Sequence, residues 1–157
     1  MRYRQLDKII ELIPGERIVA QRTLQHGEDY LRDHFPLFPV MPGVMMLEAM
    51  FQASCWLVRA TEEFKHSIIS LDEVRNVKFA DFMEPGQLLT VVAEIVKSED
   101  RSVTLKASGN RGDVVAVSGR LVLGKKNLEM GDPELAALDE FSRDAMRQEF
   151  AKLMHAE

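Results

Sequence analysis

At 157 residues, 46% apolar and 29% charged, the chain is long enough to bury a real core as one domain and has the balance of a soluble globular protein. A net charge of −5 argues against a general nucleic-acid or anionic-membrane binder, since both need a basic surface. No run approaches the roughly 20 apolar residues of a membrane span and the first eight residues carry no signal-peptide core, so a cytoplasmic location is expected.

Residues 5–13 are too short to classify by periodicity alone. Pro14-Gly15 marks a turn, and the β-rich segment 16–25 after it reads as a strand that pairs with residues 9–13 as a hairpin. His26-Gly27 is turn-like. Pro36, Pro39 and Pro42 then fall within seven residues; proline fixes φ and disfavours helix just before it, so 34–42 should be a stiff, extended loop.

From Val44 to about residue 63 nothing breaks a helix. Its apolar residues cover nearly every face, which predicts a helix buried on all sides and wrapped by something else. Arg59, Glu62 and Glu63 mark the end that reaches solvent. The single cysteine, Cys55, lies inside this helix and reads as a small buried hydrophobe.

Residues 68–71, 77–82, 88–96, 103–108 and 114–123 are β-branched segments separated by turn signals such as Pro85-Gly86. Connections this short imply antiparallel neighbours, and the longer strands suit a sheet that curves. The fold class is therefore α+β, an antiparallel sheet wrapped around a central buried helix. Residues 125–131 are a polar connector. Asp132 as N-cap and Pro133 at the first position start a further C-terminal helix, whose Leu135, Leu138, Phe141, Ala145, Phe150 and Leu153 predict an amphipathic face packed on the domain or on a partner subunit.

Two ionisable residues stand out around the loop–helix junction. His34 heads the rigid loop. A lone histidine beside prolines is more often a structural hydrogen-bonder, but a ring held in one orientation can serve as a base at cellular pH. Glu48 is the only charged residue between His34 and Arg59, on the second turn of an apolar helix. Burial there should raise its pKa and favour the protonated form that a general acid needs; the competing explanation is a carboxylate that merely satisfies donors in the core. Gln52, four residues on, can donate to Glu48 and orient it. Gly43 at the helix N-terminus offers an unobstructed N–H to a developing oxyanion, although taken alone it is an ordinary loop-to-helix glycine. Base, acid and oxyanion donor beside apolar side chains suit proton abstraction next to a carbonyl with loss of a β-hydroxyl, on an acyl chain in an apolar tunnel.

The run His34-Phe-Pro-x-x-Pro-Val-Met-Pro-Gly43-Val, with Glu48-Ala-Met and Gln52 following, resembles the β-hydroxyacyl-acyl-carrier-protein dehydratases of hot-dog fold, the FabZ type. Val77-Lys-Phe-Ala-Asp-Phe-Met-Glu-Pro-Gly-Gln-Leu88 resembles that family's second signature, and Pro14-Gly15-Glu-Arg-Ile-Val-Ala its first strand, so the similarity spans about residues 9–124. The resemblance implies a hot-dog domain over 1–124, a C-terminal helical extension over 125–157, a homodimer that can assemble into a hexamer, and a substrate carried as a hydroxyacyl thioester on acyl carrier protein. It implies His34 as the base at the α-carbon and Glu48 as the acid on the hydroxyl, from opposite subunits. Gly43 would polarise the thioester carbonyl, with Gln52, Phe35 and Val40 beside the substrate. No cofactor, metal, nucleic acid or membrane is implied.

Three features depart from the family pattern. Leu37-Phe38 replaces a usual glycine, and Ala80-Asp81 replaces a usual basic pair, which leaves Arg75, Lys78, Arg101 and Arg111 as a different basic patch for a carrier. The usual N-terminal segment is missing while residues 125–157 run past the family core. Alternatives are a hot-dog thioesterase, a dehydratase of coenzyme A esters, and a non-catalytic acyl-binding paralogue.

Overall fold

The computed structural model describes residues 3–157. The elements run β1 (Lys8–Ile13), β2 (Arg17–Thr23), α1 (Gly43–Thr61), β3 (Ile68–Phe79), β4 (Leu88–Ser98), β5 (Ser102–Arg111), β6 (Val114–Lys126) and α2 (Ala136–Met154), with short 3-10 turns at Asp29–Arg32, Leu128–Met130 and Pro133–Leu135. All six strands form one antiparallel sheet in the order β1-β2-β4-β5-β6-β3.

The sheet curls around α1 because its strands alternate. Leu89, Val91 and Ala93 of β4 and Val103, Leu105 and Ala107 of β5 turn inward and are buried, while Glu94 and Lys106 face outward. Against them α1 presents Ala49, Met50, Ala53 and Leu57, all fully buried. The β1–β2 hairpin turns through Gly15 (φ 81°), a left-handed position that suits glycine. The Gly15 N–H donates to Thr61 Oγ1 at 2.8 Å, tying the turn to the last residue of α1.

Three expectations change. The segments 68–71 and 77–82 merge into one edge strand, β3, which ends at Phe79; its register against β6 shifts twice and its Asn76 takes a left-handed φ of 54°. Helix α1 is not enclosed on every side. Residues 52–58 are buried throughout, but Val44 is 66% exposed and Leu47, Glu48 and Phe51 are only half-buried, because one sheet covers one flank. Third, Asp132 caps the 3-10 turn rather than α2, its Oδ1 accepting from the Glu134 N–H at 3.0 Å.

The docked face of α2 is only part of the apolar stripe expected. Leu138 and Phe141 (71% exposed) point away from the domain. The anchors are Leu153, Phe150 and Asp139. Phe150 packs against Trp56 and Phe64 with ring centroids 6.0 and 5.5 Å apart. Asp139 is buried and accepts from the Ser67 hydroxyl and from the N–H groups of Leu128 (2.8 Å) and Glu129 (2.9 Å). Burial opposes its charge, but these donors and nearby Arg143 outweigh it and hold the carboxyl below the usual range.

Candidate active site

The loop before α1 is stiff, but it is folded back rather than extended. Phe35 and Phe38 exchange backbone hydrogen bonds, each 3.1 Å, and the Val40 N–H donates to the His34 carbonyl at 2.9 Å. The His34–Phe35 peptide is cis. The next residue, Met41, is tied through its N–H to the Met83 carbonyl at 2.8 Å. Prolines at 36, 39 and 42 withhold three N–H groups, so the remaining donors close on neighbouring carbonyls.

This closure fixes His34. Its Nδ1 lies 2.9 Å from the Val40 carbonyl oxygen, and the Phe35 ring stacks on the imidazole at 4.4 Å. A carbonyl only accepts, so Nδ1 carries a hydrogen, and in the neutral ring the lone pair is on Nε2. Val40, expected beside substrate, is fully buried and reaches the site only through that carbonyl. His34 and Phe35 line a cavity of about 450 Å³ with Gly43, Val44, Phe79 and Phe82.

Gly43 opens α1, so its N–H has no acceptor within the helix. The Phe79 ring lies over it: a Cβ at Gly43 would sit 2.7 Å from Phe79 Cδ1. Close approach of an aromatic ring, rather than backbone conformation, is what a side chain at this position would disturb.

Glu48 lines a different cavity, about 200 Å³, together with Gln52, Cys55, Trp56 and Arg59. Gln52 Nε2 donates to Glu48 Oε1 at 2.8 Å, as the spacing of four predicts. It also donates to the Tyr3 carbonyl at 2.9 Å, and its Oε1 accepts from the Gln5 N–H at 2.8 Å. These two contacts settle which way the amide faces. One chain thus places the candidate base in one cavity and the candidate acid in another. Among the described residues no cluster of three or more His, Cys, Asp or Glu is placed to hold a metal.

A model of the FabA-like domain family matches residues 1–123. A 3-hydroxyacyl-[acyl-carrier-protein] dehydratase FabZ of Levilactobacillus brevis is 34% identical over 116 residues, 74% of this chain and 78% of the relative. A FabZ of Clostridium kluyveri is 32% identical over 124 residues, 78% and 86% of the two chains. The chain belongs to the FabA-like family. The fold agrees with that membership: a dehydratase heterocomplex, ApeI:P, from Xenorhabdus doucetiae superposes with a TM-score of 0.64 at 19% identity, covering 80% of this chain and 85% of that one. The fluoroacetyl-CoA thioesterase FlK superposes at 0.60 with 22% identity, over 80% and 96%.

Within this FabA-like domain the substituted pair Ala80-Asp81 borders the His34 cavity. Asp81 is paired with Arg111, which holds its carboxyl below the usual range with help from the Phe82 N–H. Arg75 is paired with Glu73. Arg101 precedes β5 and Arg111 ends it, about 30 Å apart along a ten-residue strand. Of the basic residues expected as one patch, Arg75 and Arg111 are therefore each paired with a carboxylate, and Arg101 lies at the opposite end of β5 from Arg111. Phe38 meets Phe82 edge-on at 6.0 Å, leaving Leu37 in solvent.

Sequence reasoning missed three contributors. The Val40 carbonyl and the Phe79 ring act through tertiary contact and leave no local pattern. Arg59, expected in solvent, lines the Glu48 cavity; its spacing of eleven from Glu48, with 52 and 55 between, is a readable stripe on one helix face.

Proposed function

We propose that the chain is a hydro-lyase that dehydrates (3R)-3-hydroxyacyl thioesters on acyl carrier protein to trans-2-enoyl thioesters in fatty acid synthesis. The observation that carries this reading is the pairing of a FabA-like sequence with an oriented histidine whose Nε2 is free. His34 Nε2 takes the α-proton as the C3–O bond breaks, and Glu48 delivers a proton to the departing hydroxyl, which leaves as water. The Gly43 N–H polarises the thioester carbonyl, where its helix-end position is worth most. Net proton balance is restored when His34 returns its proton and Glu48 regains one.

The reading requires a second copy of the chain. His34 and Glu48 line separate cavities in one protomer, so each site takes its base from one subunit and its acid from the other. Two open surfaces support a homodimer: the outer edge of β3, twelve residues long and unpaired, and the exposed flank of α1 around Val44. Three such dimers would make a hexamer. In this account residues 1–124 are the catalytic unit and residues 125–157 its extension.

The test is turnover of a 3-hydroxyacyl thioester on carrier protein beside the same acyl group on coenzyme A, following enoyl formation. Enoyl product, lost in His34→Ala and Glu48→Gln, is the expected result. Full turnover by both variants overturns the site assignment, and free thiol without enoyl product overturns the reaction.

A further inference from the structure

Arg59 is a half-buried cation without a counterion among the described residues. Its Nε is buried and meets no acceptor, and no carboxylate among the described residues lies within ion-pair distance of its guanidinium. On one side it rests on the Trp56 ring, 5.4 Å from the centroid. Trp56 supplies a π face, which steadies the charge without neutralising it. The other neighbour is Cys55, whose thiol is pushed up to about 12 by burial and so stays neutral. Burial correspondingly draws Arg59 below its ordinary range.

A desolvated guanidinium costs free energy unless an anion meets it, and its planar fork matches a carboxylate. The cavity that holds Arg59 is the one that holds Glu48. The two Cα atoms stand about 16 Å apart along α1, and a helical side chain leans back toward the N-terminus, which brings the guanidinium toward Cys55 and shortens the span. Met146 of α2 lines the same cavity from the C-terminal extension. A group reacting beside Glu48 can therefore extend its far end along this half-open cavity toward a cation.

We propose that Arg59 reads the distal end of the acyl group, and that the preferred substrate is a 3-hydroxyacyl thioester ending in a carboxylate. This rests on the dehydratase reading above. A plain alkyl end would leave the guanidinium unpaired, and sites built to bond a polar group discriminate strongly against analogues that lack it.

The experiment compares two carrier-linked 3-hydroxyadipoyl substrates, one with a free terminal carboxylate and one with that carboxylate as a methyl ester. The full-length protein is expected to favour the free acid at least tenfold in kcat/KM. Arg59→Met should lower that ratio at least tenfold, and Arg59→Lys should lower it less. Preference for the ester, or an unchanged ratio in Arg59→Met, overturns the proposal. A second readout separates it from the reaction itself. Trp56 is the single tryptophan of the chain, so its fluorescence reports on this cavity. Monomethyl adipate should change that emission saturably and dimethyl adipate should not. Absence of turnover with both thioesters sinks the dehydratase reading, whereas equal responses to both adipates sink the role of Arg59.

Discussion

His34 Nδ1 is held 2.9 Å from the carbonyl oxygen of Val40, six residues along the same loop. In the neutral ring the bond decides the tautomer, since only Nδ1–H can donate to a carbonyl, and it leaves Nε2 with the lone pair that the proposed role of base requires. It also separates the two jobs of the histidine. One nitrogen holds the loop and the other is free for chemistry.

That separation can be tested with His34→Asn. The asparagine amide can donate to the Val40 carbonyl much as Nδ1 does, but it offers no base. Thermal unfolding should stay within a few degrees of the parent, while kcat falls by about 10²–10⁴. A comparable loss of stability would show that His34 acts mainly through the fold.

Gln52→Leu removes the donor to Glu48 and leaves the Gln5 N–H without its acceptor. The expected effect is a fall in kcat of about tenfold together with a destabilisation of roughly 1–3 kcal/mol, read by denaturant unfolding. Unchanged kcat would mean that Glu48 needs no orientation.

Gly43→Ala places a methyl against the Phe79 ring. Phe79 is half-exposed and can swing outward, so stability should change little. The cavity around His34 is reshaped at the same time, and kcat/KM should fall about tenfold or more. Steady-state kinetics beside a melting curve separates the two effects.

Asp139 makes stability depend on pH. Its carboxyl is held below the usual range, so its stabilising effect is complete above the unfolded value, about 3.9, and is lost as pH falls through the lower folded value. Asp139→Asn should lower Tm by about 5 °C near neutral pH, and the gap to the parent should narrow on acidification toward pH 3. A gap that is constant with pH would assign the effect to packing.

Much of this was legible in the residues. Pro14-Gly15 located the hairpin, the short connection between 88–96 and 103–108 foretold their antiparallel pairing, and the spacing of Glu48 and Gln52 foretold their bond. Other features escaped because their causes are not local. The polar run 72–76 hid the middle of β3, an edge strand whose outward residues need not be apolar. The docking face of α2 was read only in part: Phe150 and Leu153 dock as expected, but Asp139 also anchors it, and hydrophobic pattern cannot see a carboxylate satisfied by Ser67 and by backbone from residues 128–129. The enclosure of α1 was overstated because the sheet covers one flank and leaves the flank around Val44 open.

The most direct test of the shared site is complementation between two inactive proteins. His34→Ala and Glu48→Gln are purified separately, mixed, dissociated and reassembled, and assayed for dehydration. Each mixed dimer would hold one doubly altered site and one intact site. Because half the dimers are mixed, activity should recover to about a quarter of the parent value. A mixture as inactive as its two components, with mixed dimers shown to be present, would contradict a site built across two subunits.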